Sequence, residues 1–161
     1  MKKFYLLGIV LMAFILCGCG NKEVDLNKTS TITFHDLKAD LPTVFEQDPE
    51  NSSDDIIFFS YTDEKNYNGC MLHFSFSEYP TENIKDAITE GLLGKTDYEY
   101  SEKKINGYKW AIGHREENDK FNQTYYAIVK DGKEYNFSYD DFGSGEDCAK
   151  ALSIIEKSLK F

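Results

Sequence analysis

Two dipeptides constrain this chain more than any other feature: Asn106-Gly107 and Asp131-Gly132. Each lies between two runs rich in aromatic and β-branched residues. Asn-Gly and Asp-Gly supply the positive φ angles that a two-residue hairpin turn demands, and such a turn forces its flanking strands to pair antiparallel. The segments TDYEYSEKKI and YKWAIGHRE therefore form one hairpin, and FNQTYYAIVK and KEYNFSYDD form a second. Only the short ENDK stretch separates the two, so four strands follow one another as a meander.

Upstream, DDIIFFSYTD reads as a short apolar strand that ends in the turn-rich TDEKNYNG. In GCMLHFSFSEY the alternation is regular: Cys70, Leu72, Phe74 and Phe76 share one face, and Met71, His73, Ser75 and Ser77 share the other. TITFHDL adds an extended segment around Ile32 and Phe34, and KADLPTVFEQDPENSSDD is expected as a loop with Leu41, Pro42 and Phe45 tucked onto the core.

Two stretches switch to helical period. PTENIKDAITEGLLG places Ile84, Ala87, Ile88 and Leu92 on one stripe, with Thr81 as the expected N-cap and Gly94 as the closing residue. SGEDCAKALSIIEKSLKF starts at a box of Ser144 and Asp147 and carries the stripe Cys148, Leu152, Ile155 and Leu159. The order is β-β-β-α-β-β-β-β-α. Between Phe121 and Lys130 apolar residues fall on both faces, Tyr125, Ala127 and Val129 against Tyr126 and Ile128. A sheet wet on one side alternates more cleanly, so helices are expected on both sides. The fold class is α+β, a predominantly antiparallel sheet of six to seven strands with helices packed on it.

The first 20 residues, MKKFYLLGIVLMAFILCGCG, obey a different logic. Lys2 and Lys3 precede an apolar run from Phe4 to Leu16 that is shorter than the about 20 residues a membrane-spanning helix needs, and fits the core of an export signal. Leu16-Cys17-Gly18-Cys19 resembles the bacterial lipobox. That resemblance implies a diacylglyceryl group on Cys19, cleavage just before it, and a mature protein held by lipid at the outer face of the cytoplasmic membrane. Cys17 fits the pattern poorly, because bulky Leu16 then stands where a small residue belongs. As a metal or redox pair, C-x-C lacks the further ligands such sites require. The expected organisation is a signal peptide over 1–18, a lipidated polar tether over 19–30 and one domain over 31–161.

Removal of residues 1–18 leaves 16 basic against 28 acidic residues, a net charge of −12. Such a surface argues against nucleic acid and against electrostatic docking on anionic lipid, leaving the lipid on Cys19 as the membrane contact. Cys70 and Cys148 remain. Outside the cytoplasm they either form a disulfide or serve as small buried hydrophobes, and the sequence leaves both open.

The domain resembles the PsbP-like α/β/α sandwich lipoproteins, including the DcrB-like group. The residues that carry the resemblance are Phe34 to Pro42, the helix TENIKDAITEGLL, KINGYKWA, YYAIVKDGKEYNFSY and the terminal AKALSIIEKSLKF. It departs where a Trp often follows the early Pro, since Thr43, Val44 and Phe45 stand here. The resemblance implies a fold and a role as accessory or binding subunit at a membrane, and it transfers no catalytic residue.

Site chemistry is sparse. Cys70 and His73 form C-x-x-H, but in a strand residues three apart face opposite ways. His114 and Glu116 share a strand face, a faint metal pattern that a polar strand end explains equally. SYDDFGSGED gathers Asp140, Asp141, Glu146 and Asp147, yet its glycine arrives too early for a calcium loop. Trp110, His114, Tyr125 and Tyr139 are the residues expected to line a ligand surface if the strand aromatics are exposed rather than core. No catalytic residue, metal site or cofactor is expected. The expected function is a lipid-anchored, non-enzymatic domain that binds a protein or small molecule. The alternatives are a thiol- or His-dependent hydrolase, and a structural or self-protecting envelope lipoprotein.

Overall fold

The computed structural model describes residues 25–63, 68–118, 121–143 and 146–161. In chain order the elements are β1 (Thr29–Phe34), β2 (Leu37–Pro42), β3 (Glu46–Asp48), β4 (Ile56–Asp63), β5 (Asn68–Ser77), α1 (Ile84–Gly91), β6 (Glu99–Ile105), β7 (Tyr108–Asn118), β8 (Phe121–Lys130), β9 (Lys133–Asp141) and α2 (Glu146–Ser158).

Both tight turns form where their dipeptides predict them. Asn106 and Gly107 adopt φ of 48° and 93°, and Asp131 and Gly132 adopt 53° and 75°. Ile105 then faces Tyr108, and Lys130 faces Lys133. The positive φ at both central residues gives these turns the twist of the strands they join. The resulting meander is the larger part of a seven-stranded antiparallel sheet ordered β3-β4-β5-β9-β8-β7-β6. The chain leaves β5 through α1, crosses to the far edge as β6, and folds back until β9 lies between β8 and β5.

The sheet is covered on both sides, as the two-faced composition of β8 predicts. Tyr126 and Ile128 join the larger core with Phe74, Trp110, Phe137, the α2 residues Cys148, Ala151 and Ile155, and Leu159 just past the end of α2. Tyr125 and Ala127 face the other way, into a smaller core with Ala87, Ile88 and Leu92 of α1. The α1 stripe is the expected one. In α2, Ala151 is buried and Leu152 half-buried, a slight rotation of the predicted stripe. Ser144, the expected start of this helix, lies outside the described residues.

Three expectations need correction. The segment after Phe34 is not a loop: β2 pairs with β1 through a two-residue turn at His35 and Asp36, and β3 pairs with β4. His35 takes φ 50° there without a glycine to signal it. Leu37, Ala39 and Leu41 alternate into the core beneath α2, where the amide of Asp40 donates to the Ser158 hydroxyl at 2.7 Å. The domain also begins before residue 31, because Leu26 is 1% exposed and the amide of Thr43 donates to the carbonyl of Lys28. Finally, Asn83 rather than Thr81 caps α1, its side-chain oxygen accepting from the Lys85 amide at 3.1 Å. Thr81 is held instead by Glu134, a long-range partner that capping rules do not see.

Candidate functional site

Cys70, on the α2-facing side of β5, is joined to Cys148 on α2 in a disulfide with Cα atoms 6.0 Å apart. Both residues are buried. His73 lies on the opposite face of β5, so C-x-x-H is no site. Its ring stands between Phe58 and Tyr125, at centroid distances of 5.1 and 6.3 Å, and burial pulls its pKa down to about 4.

The structure does not gather the predicted ligand surface. Trp110, Tyr125 and Tyr139 are core residues, 1%, 5% and 3% exposed. Trp110 and Tyr139 belong to the α2 side and Tyr125 to the α1 side, so one ligand cannot touch all three. Alternation in β7, β8 and β9 is legible in the sequence; which face each cover closes over is not. Burial raises the phenol of Tyr125 to about 12 and that of Tyr139 further. The acids of SYDDFGSGED are divided between elements: Asp140 and Asp141 end β9, where the Asp141 carboxylate accepts from the Gly143 amide at 2.9 Å, and Glu146 and Asp147 begin α2. Cys19 lies outside the described residues.

His114 alone of the predicted set reaches solvent. It lines a cleft of about 440 Å³ with Arg115 and Glu116 of β7 and Thr96 to Glu99, the segment leading into β6. The Asn106-Gly107 turn creates this cleft by setting the register that puts Glu99 opposite His114. One imidazole nitrogen of His114 lies 3.0 Å from the Thr124 hydroxyl, and the other lies 3.5 Å from Glu116. Two positions apart on one strand face, His114 and Glu116 meet as their spacing predicts.

Arg115 is the chain's one arginine, and its side chain is only 7% exposed. It pairs with Asp97 at 3.5 Å and Glu117 at 3.3 Å. Neither Arg115 nor Asp97 is among the residues the sequence pattern singles out. A lone arginine in a chain otherwise charged by lysine is the available signal, because a planar guanidinium serves two carboxylates where lysine offers a point charge. With Asp97, Glu99 and Glu116 lining the cleft beside one arginine, the mouth is negative and suits a cationic group. Among the described residues no three His, Cys, Asp or Glu side chains converge to hold a metal ion.

These elements define the class: an α+β domain whose seven-stranded antiparallel sheet lies between helices. The fold is PsbP-like. It is similar to the solution structure of cyanobacterial PsbP (CyanoP) from Synechocystis sp. PCC 6803, with a TM-score of 0.53 and 13% identity, over 91% of this chain and 98% of that one. A crystal structure from Bacteroides thetaiotaomicron VPI-5482 is also similar, with a TM-score of 0.49 and 13% identity over 77% of this chain and 44% of that one. No protein-family model matches the chain, and no curated protein matches it.

Proposed function

We infer that this protein is a bacterial lipoprotein, anchored by a lipid on Cys19 at the outer face of the cytoplasmic membrane, whose PsbP-like domain binds a partner without catalysing a reaction. One observation carries the reading: the Cys70–Cys148 disulfide, buried between β5 and α2. Structural disulfides belong to oxidising compartments, which agrees with the export signal and lipobox at residues 2–19. The same bond removes both domain thiols as nucleophiles and so disfavours a thiol hydrolase. The acidic cleft beside His114 supplies the binding chemistry, selecting an amine, a guanidinium or a basic peptide.

The anchor is tested by feeding cells a labelled fatty acid. Label should enter the wild-type chain and vanish from Cys19→Ala; equal labelling of both overturns the anchor. The cleft is tested by titrating the chain with a lysine-rich peptide. Glu99→Gln with Glu116→Gln should weaken binding severalfold, and unchanged affinity overturns the cleft as the site.

A further inference from the structure

The two edges of the large sheet are not equivalent. One ends in β3, three residues long and followed by Pro49, a blunted edge of the kind that resists further pairing. The other ends in β6, which runs seven residues from Glu99 to Ile105 without proline or bulge. Among the described residues no strand pairs with its outer side. Ile105 and Tyr108 close a two-residue turn, so they exchange hydrogen bonds, and the alternation continues along the strand. Ile105, Lys103, Ser101 and Glu99 therefore bond inward to β7. Tyr100, Glu102 and Lys104 aim their N–H and C=O groups outward.

We propose that β6 is a self-association edge, at which a second copy of this chain pairs antiparallel and joins the two sheets into one. Charge identifies the occupant. The whole chain carries −10, which drives copies apart, but β6 is locally balanced, with Glu99 and Glu102 against Lys103 and Lys104. Its acid stands first and its base last, so the strand complements itself when reversed. With Ser101 on the two-fold axis, Glu99 faces the second copy's Lys103 twice, and Tyr100 faces Glu102 twice. Tyr100 and Glu102 already make this contact within one chain, the phenol donating to the carboxylate at 3.1 Å.

The neighbouring registers are worse. A one-residue slip sets outward-aimed groups opposite inward-aimed ones. A two-residue slip toward the turn puts Glu102 opposite itself, like charges directly facing across a pair. A two-residue slip the other way leaves both lysines opposite residues that precede the strand. The pairing leaves the cleft's buried arginine aside, draws on Glu99 at the cleft's rim, and does not depend on the lipid anchor.

The test uses the full chain in mild detergent, with light scattering corrected for bound detergent over a dilution series. The wild type should pass from dimer to monomer on dilution, because one strand pair is a small interface. Glu99→Lys should weaken association about tenfold, by turning two opposite-charge pairs into like-charge pairs. Glu99→Lys with Lys103→Glu should restore it even though Lys103→Glu gives up the ion pair of Lys103 with Glu156 in its own chain, and a melting curve for each variant separates charge complementarity from a folding defect. Under mild oxidation Ser101→Cys should cross-link two copies through position 101, a bond found by peptide mapping, whereas Glu50→Cys on the exposed surface near β3 should not link to itself. A wild-type chain that stays monomeric throughout, or cysteines at positions 101 and 50 that link equally, overturns the proposal.

Discussion

Thr81 donates twice to Glu134, from its amide at 2.8 Å and from its hydroxyl at 2.7 Å, both to the same carboxylate oxygen. The other oxygen of Glu134 accepts from the Asn136 side chain at 2.9 Å. This knot ties the entry of α1 to the start of β9 across 53 residues of chain. Glu134 and Asn136 are each 6% exposed, and Thr81 is half-buried. Glu134→Ala should cost about 2–3 kcal/mol of unfolding free energy by urea denaturation, because buried donors are stranded. Thr81→Val keeps the amide bond and should cost about 1 kcal/mol.

The disulfide closes a loop with a sequence separation of 78. Restricting so long a loop in the unfolded chain is worth about 4 kcal/mol on the chain-entropy account. Cys70→Ser with Cys148→Ser should lower the melting temperature by many degrees in calorimetry. A reductant should lower the wild-type melting temperature and leave the double variant unmoved.

Gly91 ends α1 where the helix meets β8. A Cβ there would collide with the Tyr125 ring, as one at Gly113 would collide with Ile88. Alanine is the better helix former by about 1 kcal/mol. Overpacking a tight core contact costs about 1–3 kcal/mol, so collision outweighs propensity. Gly91→Ala should therefore destabilise the domain in urea unfolding, and a smaller leucine side chain at position 125 should recover part of the loss.

His73 gives stability a pH dependence. Its folded pKa is about 4 against an ordinary 6.5, so below pH 6.5 the unfolded chain takes up a proton that the folded chain refuses. Stability should fall as pH drops from about 6.5 to 4, by about 3 kcal/mol in total. Asp140 acts oppositely, since burial raises its carboxyl and the folded chain accepts its proton first. Comparison with His73→Gln isolates the histidine: the variant should lose the slope in that window. Imidazole resonances of His73 that titrate near 6.5 would overturn the assignment.

Local order is where the sequence speaks most clearly. Turn dipeptides at 106–107 and 131–132, the period-2 faces of β5 and the α1 stripe each depend on neighbours a few residues away, and all of them form. The β1–β2 turn escapes because His35 takes a left-handed φ that its side chain does not announce. At the candidate site, the spacing of His114 and Glu116 is legible because both sit on one strand. Asp97 is not, since it reaches Arg115 only through the β6–β7 register.

By itself the sequence determined that this chain makes antiparallel hairpins and two amphipathic helices, and that it carries two domain cysteines able to pair. Only the tertiary structure decided that β9 lies between β5 and β8, that Cys70 meets Cys148, and that Trp110, Tyr125 and Tyr139 are core rather than surface. The physical reason is range. Backbone propensity and side-chain period act over one turn of chain, whereas cover and convergence depend on which distant segments fill the space on each face of the sheet.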